Sequence, residues 1–178
     1  MKLWKACAAA SMCVIAVTGC GTSGRQLKFG EQATVTAVRG GTIGVTVVGI
    51  EAGGNSDLSE LSNPSKYAGE TPYYLHYRLT KTDLVESTTD FVVTDGKNEL
   101  THLTVMGSLD ATADPDHPLS YHQFSKCVQA DSAEFRKLAK GGSVEGCSIY
   151  LPEHGAGAPT AVEWGARDGK EPEATWNR

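Results

Sequence analysis

Five histidines and a scatter of carboxylates are the side chains in this sequence suited to catalysis or metal binding. The densest set is Asp114-Pro115-Asp116-His117-Pro118 with His122, two carboxylates and two imidazoles within nine residues. A divalent cation takes such ligands, for example His117 and His122 with one Asp, so a metal or small-ligand carrier is one reading. The spacing fits no established metal template, and two prolines among aspartates describe an exposed loop. The plainer reading is preferred, and no metal or cofactor is expected. His76, His102 and His154 have no Ser or Cys at an interpretable spacing, and Gly146-Cys147-Ser148 lacks the Gly-x-Ser-x-Gly pattern of a nucleophile turn. A small extracytoplasmic hydrolase is therefore an alternative without a motif, and the expectation is a protein that is not an enzyme. Gly40-Gly41-Thr42-Ile43-Gly44 is glycine-rich like a phosphate loop, but β-branched residues follow where a phosphate cradle needs a helix N-terminus.

The remaining candidate chemistry is that of a surface. Tyr74, His76 and Arg78 alternate along one segment and are expected to form an exposed row on a sheet, a possible interaction patch. Tyr73 and Tyr77, on the opposite face of that segment, are expected in the core, and Trp164 beneath the last hairpin.

Elements that must position these residues begin with a leader. Met1, Lys2 and Lys5 precede an uncharged stretch, 6–18, too short to cross a bilayer, and the stretch ends in Val17-Thr18-Gly19-Cys20. That tetrad resembles the lipobox of bacterial lipoproteins. The resemblance implies cleavage after residue 19, diacylation of Cys20 and attachment to the membrane on its extracytoplasmic face. Two acyl chains, at about 0.8 kcal/mol per buried methylene, make such an anchor durable. The whole chain carries −5; loss of residues 1–19 removes Lys2 and Lys5 and no acid, leaving −7. A mildly acidic body gives no electrostatic reason to bind nucleic acid, and it is repelled by anionic headgroups.

Cys7 and Cys13 leave with the leader, so Cys127 and Cys147 remain as two thiols outside the cytoplasm. They are expected to form a disulfide; a reactive or metal-binding pair is the alternative, without CxxC spacing or a neighbouring His to support it. Closing about 20 residues, the bridge is worth roughly 3 kcal/mol on the chain-entropy model.

Residues 20–29 are polar and glycine-rich, and are expected as a flexible tether; its eight residues 21–28 have an r.m.s. reach of about 16 Å. Residues 30–178 are expected to form one domain. Alternation of β-branched and apolar residues predicts strands over 33–38 and 43–50, joined by Gly40-Gly41, and over 73–80, 91–93, 100–106, 144–151, 161–164 and 174–176. Asp131-x-x-Glu134 predicts a short helix carrying Phe135 and Leu138, ended by Gly141-Gly142. The polar segment 53–71 holds at most one helical turn, on Leu58 and Leu61, and 107–120 reads as irregular. Seven or eight short strands with almost no helix predict an all-β fold, an antiparallel immunoglobulin-like β-sandwich.

Four segments carry a further likeness: the opening hairpin, Thr71-Pro72-Tyr73-Tyr74-Leu75, the stretch from Cys127 to Gly146-Cys147-Ser148-Ile149-Tyr150-Leu151-Pro152, and the closing pair around Val162-Glu163-Trp164 and Trp176. They resemble uncharacterised actinobacterial lipoproteins with a telokin-like immunoglobulin fold, which a secreted mycobacterial immunogenic antigen shares. The resemblance covers roughly residues 30–177 and implies a sandwich with a Cys127–Cys147 bridge and no assigned catalytic residue. No Trp lies between these cysteines, so the bridge is expected to tie a loop to a strand instead of crossing the core. Together these readings describe a lipid-anchored surface module that binds a protein or envelope ligand.

Overall fold

The computed structural model describes residues 24–61, 63–83, 89–105, 108–111, 119–122, 124–153 and 156–178. Its strands are β1 (Arg25–Lys28), β2 (Gln32–Thr36), β3 (Thr42–Ala52), β4 (Tyr73–Lys81), β5 (Phe91–Thr94), β6 (Thr101–Leu103), β7 (Ser108–Ala111), β8 (Leu119–His122), β9 (Ser143–Leu151), β10 (Ala161–Trp164) and β11 (Ala174–Asn177). One short helix, α1 (Ser132–Lys137), precedes β9. Sheets of order β1-β11-β10-β5 and β2-β3-β4-β9-β6 face each other, and β7 and β8 form a separate two-stranded sheet among the described residues.

The sandwich follows the alternation in the sequence. Val45 and Val47 of β3, Leu75, Tyr77 and Leu79 of β4 and Val144 of β9 turn inward against Phe91, Val93, Val162, Trp164 and Trp176 from the other sheet. Read in chain order, β3-β4-β9-β6 opposite β5-β10-β11 is the A-B-E-D and C-F-G arrangement of a constant-type immunoglobulin domain. The expected fold is therefore present, with two strands added at its N-terminal side. Glycines at φ +92° and +77° (Gly40 and Gly41) turn β2 into β3, a conformation that a Cβ would strain.

Two segments differ from expectation. Residues 25–28, assigned to the flexible tether, form β1, which pairs in parallel with β11 from Arg25 opposite Ala174 to Lys28 opposite Asn177. Leu27, half-buried against the core, supplies the reason: the strand covers apolar surface that a free tether would leave wet. The stretch 107–120, read as irregular, contains β7 and the start of β8, which pair antiparallel with Ser108 opposite His122 and Ala111 opposite Leu119.

The edge of β2 is closed by side chains from the facing sheet. Trp164 Nε1–H donates to the Thr36 carbonyl at 2.9 Å and Trp176 Nε1–H to that of Glu31 at 2.8 Å. The Glu173 carboxylate accepts from the Thr36 N–H at 2.8 Å. Polar groups that would otherwise lie unpaired beside the core are satisfied, and the two sheets are joined along one side.

The sandwich has two distinct ends. At the base lie Arg25, the β2–β3 turn, the end of β4 and the connection between β10 and β11. Helix α1, capped by Asp131 Oδ1 accepting from the Ala133 and Glu134 N–H groups, drives fully buried Phe135 into this end. Lys81 Nζ, itself buried, donates to the Arg136 carbonyl there at 2.6 Å. At the top lie the β3–β4 and β9–β10 connections and the chain terminus after β11.

Candidate functional site

Beyond the main core, the outer face of the larger sheet carries a second apolar cluster. Tyr74, Phe124, Cys127, Cys147 and Ile149 are buried together, with Leu61, Leu103 and Val105 packed against them. Cys127 and Cys147 form a disulfide with Cα atoms 5.0 Å apart. The parity of β9 explains its position: Val144 and Tyr150 point into the core, so Cys147 and Ile149 point out. The bridge thus ties the segment before α1 onto the back of β9, a loop-to-strand link as the absence of an intervening Trp implied.

This covering layer divides the expected Tyr74, His76, Arg78 row. All three face outward, but Tyr74 is only 3% exposed, beneath the layer, with Phe124 at 6.4 Å between ring centroids. Its hydroxyl donates to Asp57 Oδ2 at 3.0 Å. Asp57 also accepts from the Gly54 N–H at 2.9 Å and pairs with Lys126, and these contacts hold its carboxyl below the usual carboxylate range, Lys126 contributing most. Tyr74 is thus part of a packed layer, where alternation alone placed it in solvent. His76 and Arg78 do reach the surface, each beside an acid: His76 Nε2 lies 3.2 Å from Glu51 Oε1 and Arg78 donates to Glu145 Oε1 at 2.7 Å.

Concave surface lies elsewhere, at the top. Two adjoining clefts of about 520 Å³ each share Lys66, Glu70, Pro152 and Glu153. One continues under Tyr67 to Thr101, His102, Leu103 and Leu151; the other runs past Tyr73 to Ala156 and Ala158. Three connections build this groove: the short 3₁₀ turn Pro64–Tyr67, the start of β6 and the β9–β10 loop. Loops carried on a rigid sheet are where binding surfaces are usually placed. The wall and floor mix the Tyr67 ring, Leu103, Leu151 and Pro152 with the charges of Lys66, Glu70 and Glu153. Thr101 Oγ1 donates to Glu153 Oε1 at 3.1 Å across the groove. The His102 ring packs tilted against that of Tyr150, 5.1 Å between centroids, and partial desolvation, helped by Arg167, holds its imidazole below the usual histidine range.

Asp95 sets the position of the far wall. It accepts from the N–H groups of Lys97 and Asn98 in its own turn, at 2.8 and 2.7 Å, and from the Gly157 N–H at 2.7 Å. Three backbone donors, with Asn98 first and Gly157 next, hold this carboxyl far below the usual range. Because the folded-state pKa is depressed, the stabilisation is complete above the pKa of an unfolded aspartate, near 4, shrinks progressively as pH falls below that value and is gone once pH has passed through the folded value. Asp95→Ala is expected to free the 153–158 loop while leaving the sandwich intact. Hydrogen exchange should speed at Gly157 and not at Val93 or Val162; unchanged exchange at Gly157 would refute the clamp.

Other expected site residues fall differently. Cys20, Asp114, Asp116, His117 and His154 lie outside the described residues, and for His122 only its backbone pairing in β8 is described. Among the described residues, no three His, Cys, Asp or Glu side chains gather as a metal would require. Tyr77 and Trp164 are core as expected, and Trp176 joins them, whereas Tyr73, also expected in the core, is half-buried: it packs against the core and lines the groove. Lys66, Tyr67, Glu70 and Glu153 carried no signal in the sequence, because polar loop residues acquire a shared surface only through the fold. Compared with known proteins, the chain matches no family model, no curated sequence and no solved structure.

Proposed function

We propose that this chain is a lipid-anchored, extracytoplasmic binding module without catalytic activity, and that its binding surface is the groove at the top of the sandwich. The observation that carries the proposal is the convergence of three connections, 64–73, 101–103 and 151–158, on one mixed apolar and charged concavity. A tyrosine ring beside aliphatic side chains supplies rigid contact area, and Lys66, Glu70 and Glu153 supply orientation. Acylation at Cys20, implied by the lipobox-like tetrad, places the module at the cell surface, and the likeness to actinobacterial lipoproteins of telokin-like fold agrees with that placement. The ligand is a protein or a polymer of the envelope.

A photo-crosslinking residue placed at Tyr67 should capture a discrete partner on intact cells. The same residue at Thr34, exposed on β2 away from the groove, should not. Equal yields from the two positions would reject the groove as the binding surface.

A further inference from the structure

We infer that the sandwich stands on the bilayer by its base, which meets anionic headgroups directly, and holds the groove outward. The inference rests on the acylation of Cys20 proposed above. Parallel pairing of β1 with β11 fixes where the attached end enters the fold. Arg25 N–H donates to the Glu173 carbonyl at 3.0 Å, and a Cβ on Gly24 would strike the Pro172 carbonyl oxygen. Whatever its conformation, the path from Cys20 to Gly24 is four peptide links and spans at most about 14 Å. With residues 25–28 drawn into the sheet, too little chain is left for the body to tumble freely above its anchor. The groove lies at the other end: β4 runs from Tyr73, in the groove, to Lys81 at the base. Eight strand steps at about 3.3 Å put these residues about 26 Å apart.

Charge is sorted along the same axis. Fourteen Lys and Arg follow residue 20, the chain's 16 less Lys2 and Lys5. Eight of these are at the base: exposed Arg25, Arg39, Arg136, Lys137, Lys140 and Lys170, with Arg167 paired to Asp90 and Lys81 buried. Against them stand Asp83, Asp90, Asp131, Glu134, Asp168, Glu171 and Glu173, so eight cations less seven acids leave +1 there among the described residues. The other described residues carry six cations against 11 acids, −5; Glu86, Asp114 and Asp116 lie outside the described residues and are left out of both sums. Headgroup potential decays over a Debye length of about 8 Å, so it acts on the base and leaves the top largely unaffected. A negative leaflet attracts the one end that the anchor already brings near and repels every other side. Uniform acidity would hold the whole body off; this distribution selects one pose.

The test uses the processed protein, acylated at Cys20, in vesicles of phosphatidylcholine, with and without phosphatidylglycerol, and a headgroup-attached energy acceptor. A donor dye is carried on Ala139→Cys at the base or on Ser65→Cys at the top, both exposed positions. Transfer from position 139 should exceed that from 65 several-fold, and the gap should widen when the anionic lipid is present. Combining Arg136→Glu, Lys137→Glu and Lys140→Glu should return the gap to its phosphatidylcholine value. Equal transfer from both positions, or more from 65, overturns the pose. A gap that ignores lipid charge in the otherwise unmodified chain overturns the headgroup contact, without relying on the triple variant folding. If the protein leaves the vesicles, and Cys20→Ser partitions identically, the anchor itself is wrong and the inference falls with it.

Discussion

Trp176→Ala is expected to destabilise the protein by about 3–5 kcal/mol, the range for removing a large aromatic side chain from a core. At roughly 2–4 °C per kcal/mol for a chain of this size, the melting temperature should fall by roughly 6–20 °C. The indole is fully buried and packs in the cluster that both sheets share. It also satisfies the Glu31 carbonyl at the edge of β2, through an Nε1–H donor 2.8 Å away. Trp176→Phe separates the two contributions. It retains most of the ring but leaves the carbonyl without its donor, at an expected cost of about 1–3 kcal/mol. Urea denaturation of both variants makes the comparison. A loss below about 1 kcal/mol for the alanine variant would show that Trp176 does not join the sheets.

Opening the Cys127–Cys147 bridge should have the next largest effect, roughly 3 kcal/mol for a separation of 20 residues. The effect has a location as well as a size. The bridge holds Phe124 and Cys127 over Tyr74 and Ile149, outside the main core. The Cys127→Ser, Cys147→Ser double variant should therefore keep the sandwich and expose Tyr74. Acrylamide quenching or nitration of Tyr74 should rise before global unfolding, and protection in β10 and β11 should persist. A variant whose core strands lose protection together with Tyr74 would show instead that this layer and the sandwich form a single cooperative unit.

Much of the frame was legible in the sequence because its signals are local. Alternation in 73–80 assigned both faces of β4, since a strand's period of two sends every second side chain into the core. Gly40-Gly41 announced the β2–β3 turn, and Asp131 with Glu134 announced α1; both depend on backbone conformations set within a few residues. β1 escaped because Arg25-Gln26-Leu27-Lys28 has the composition of a tether, and only the edge of β11 makes it a strand. Tyr74 shows a similar failure: its outward direction followed from parity, but its burial depends on Phe124 and Leu61 closing over it from distant parts of the chain.

By itself the sequence determined the sandwich, its alternating faces, the pairing of its last two cysteines and the expectation of an acylated Cys20, because each follows from residue type and short-range spacing. Tertiary structure alone decided that β1 runs parallel to β11, that the disulfide lies on the outside of its sheet, and that Lys66, Tyr67, Glu70 and Glu153 share one groove. Those outcomes depend on which distant segments meet, and no periodicity within any one segment encodes that meeting.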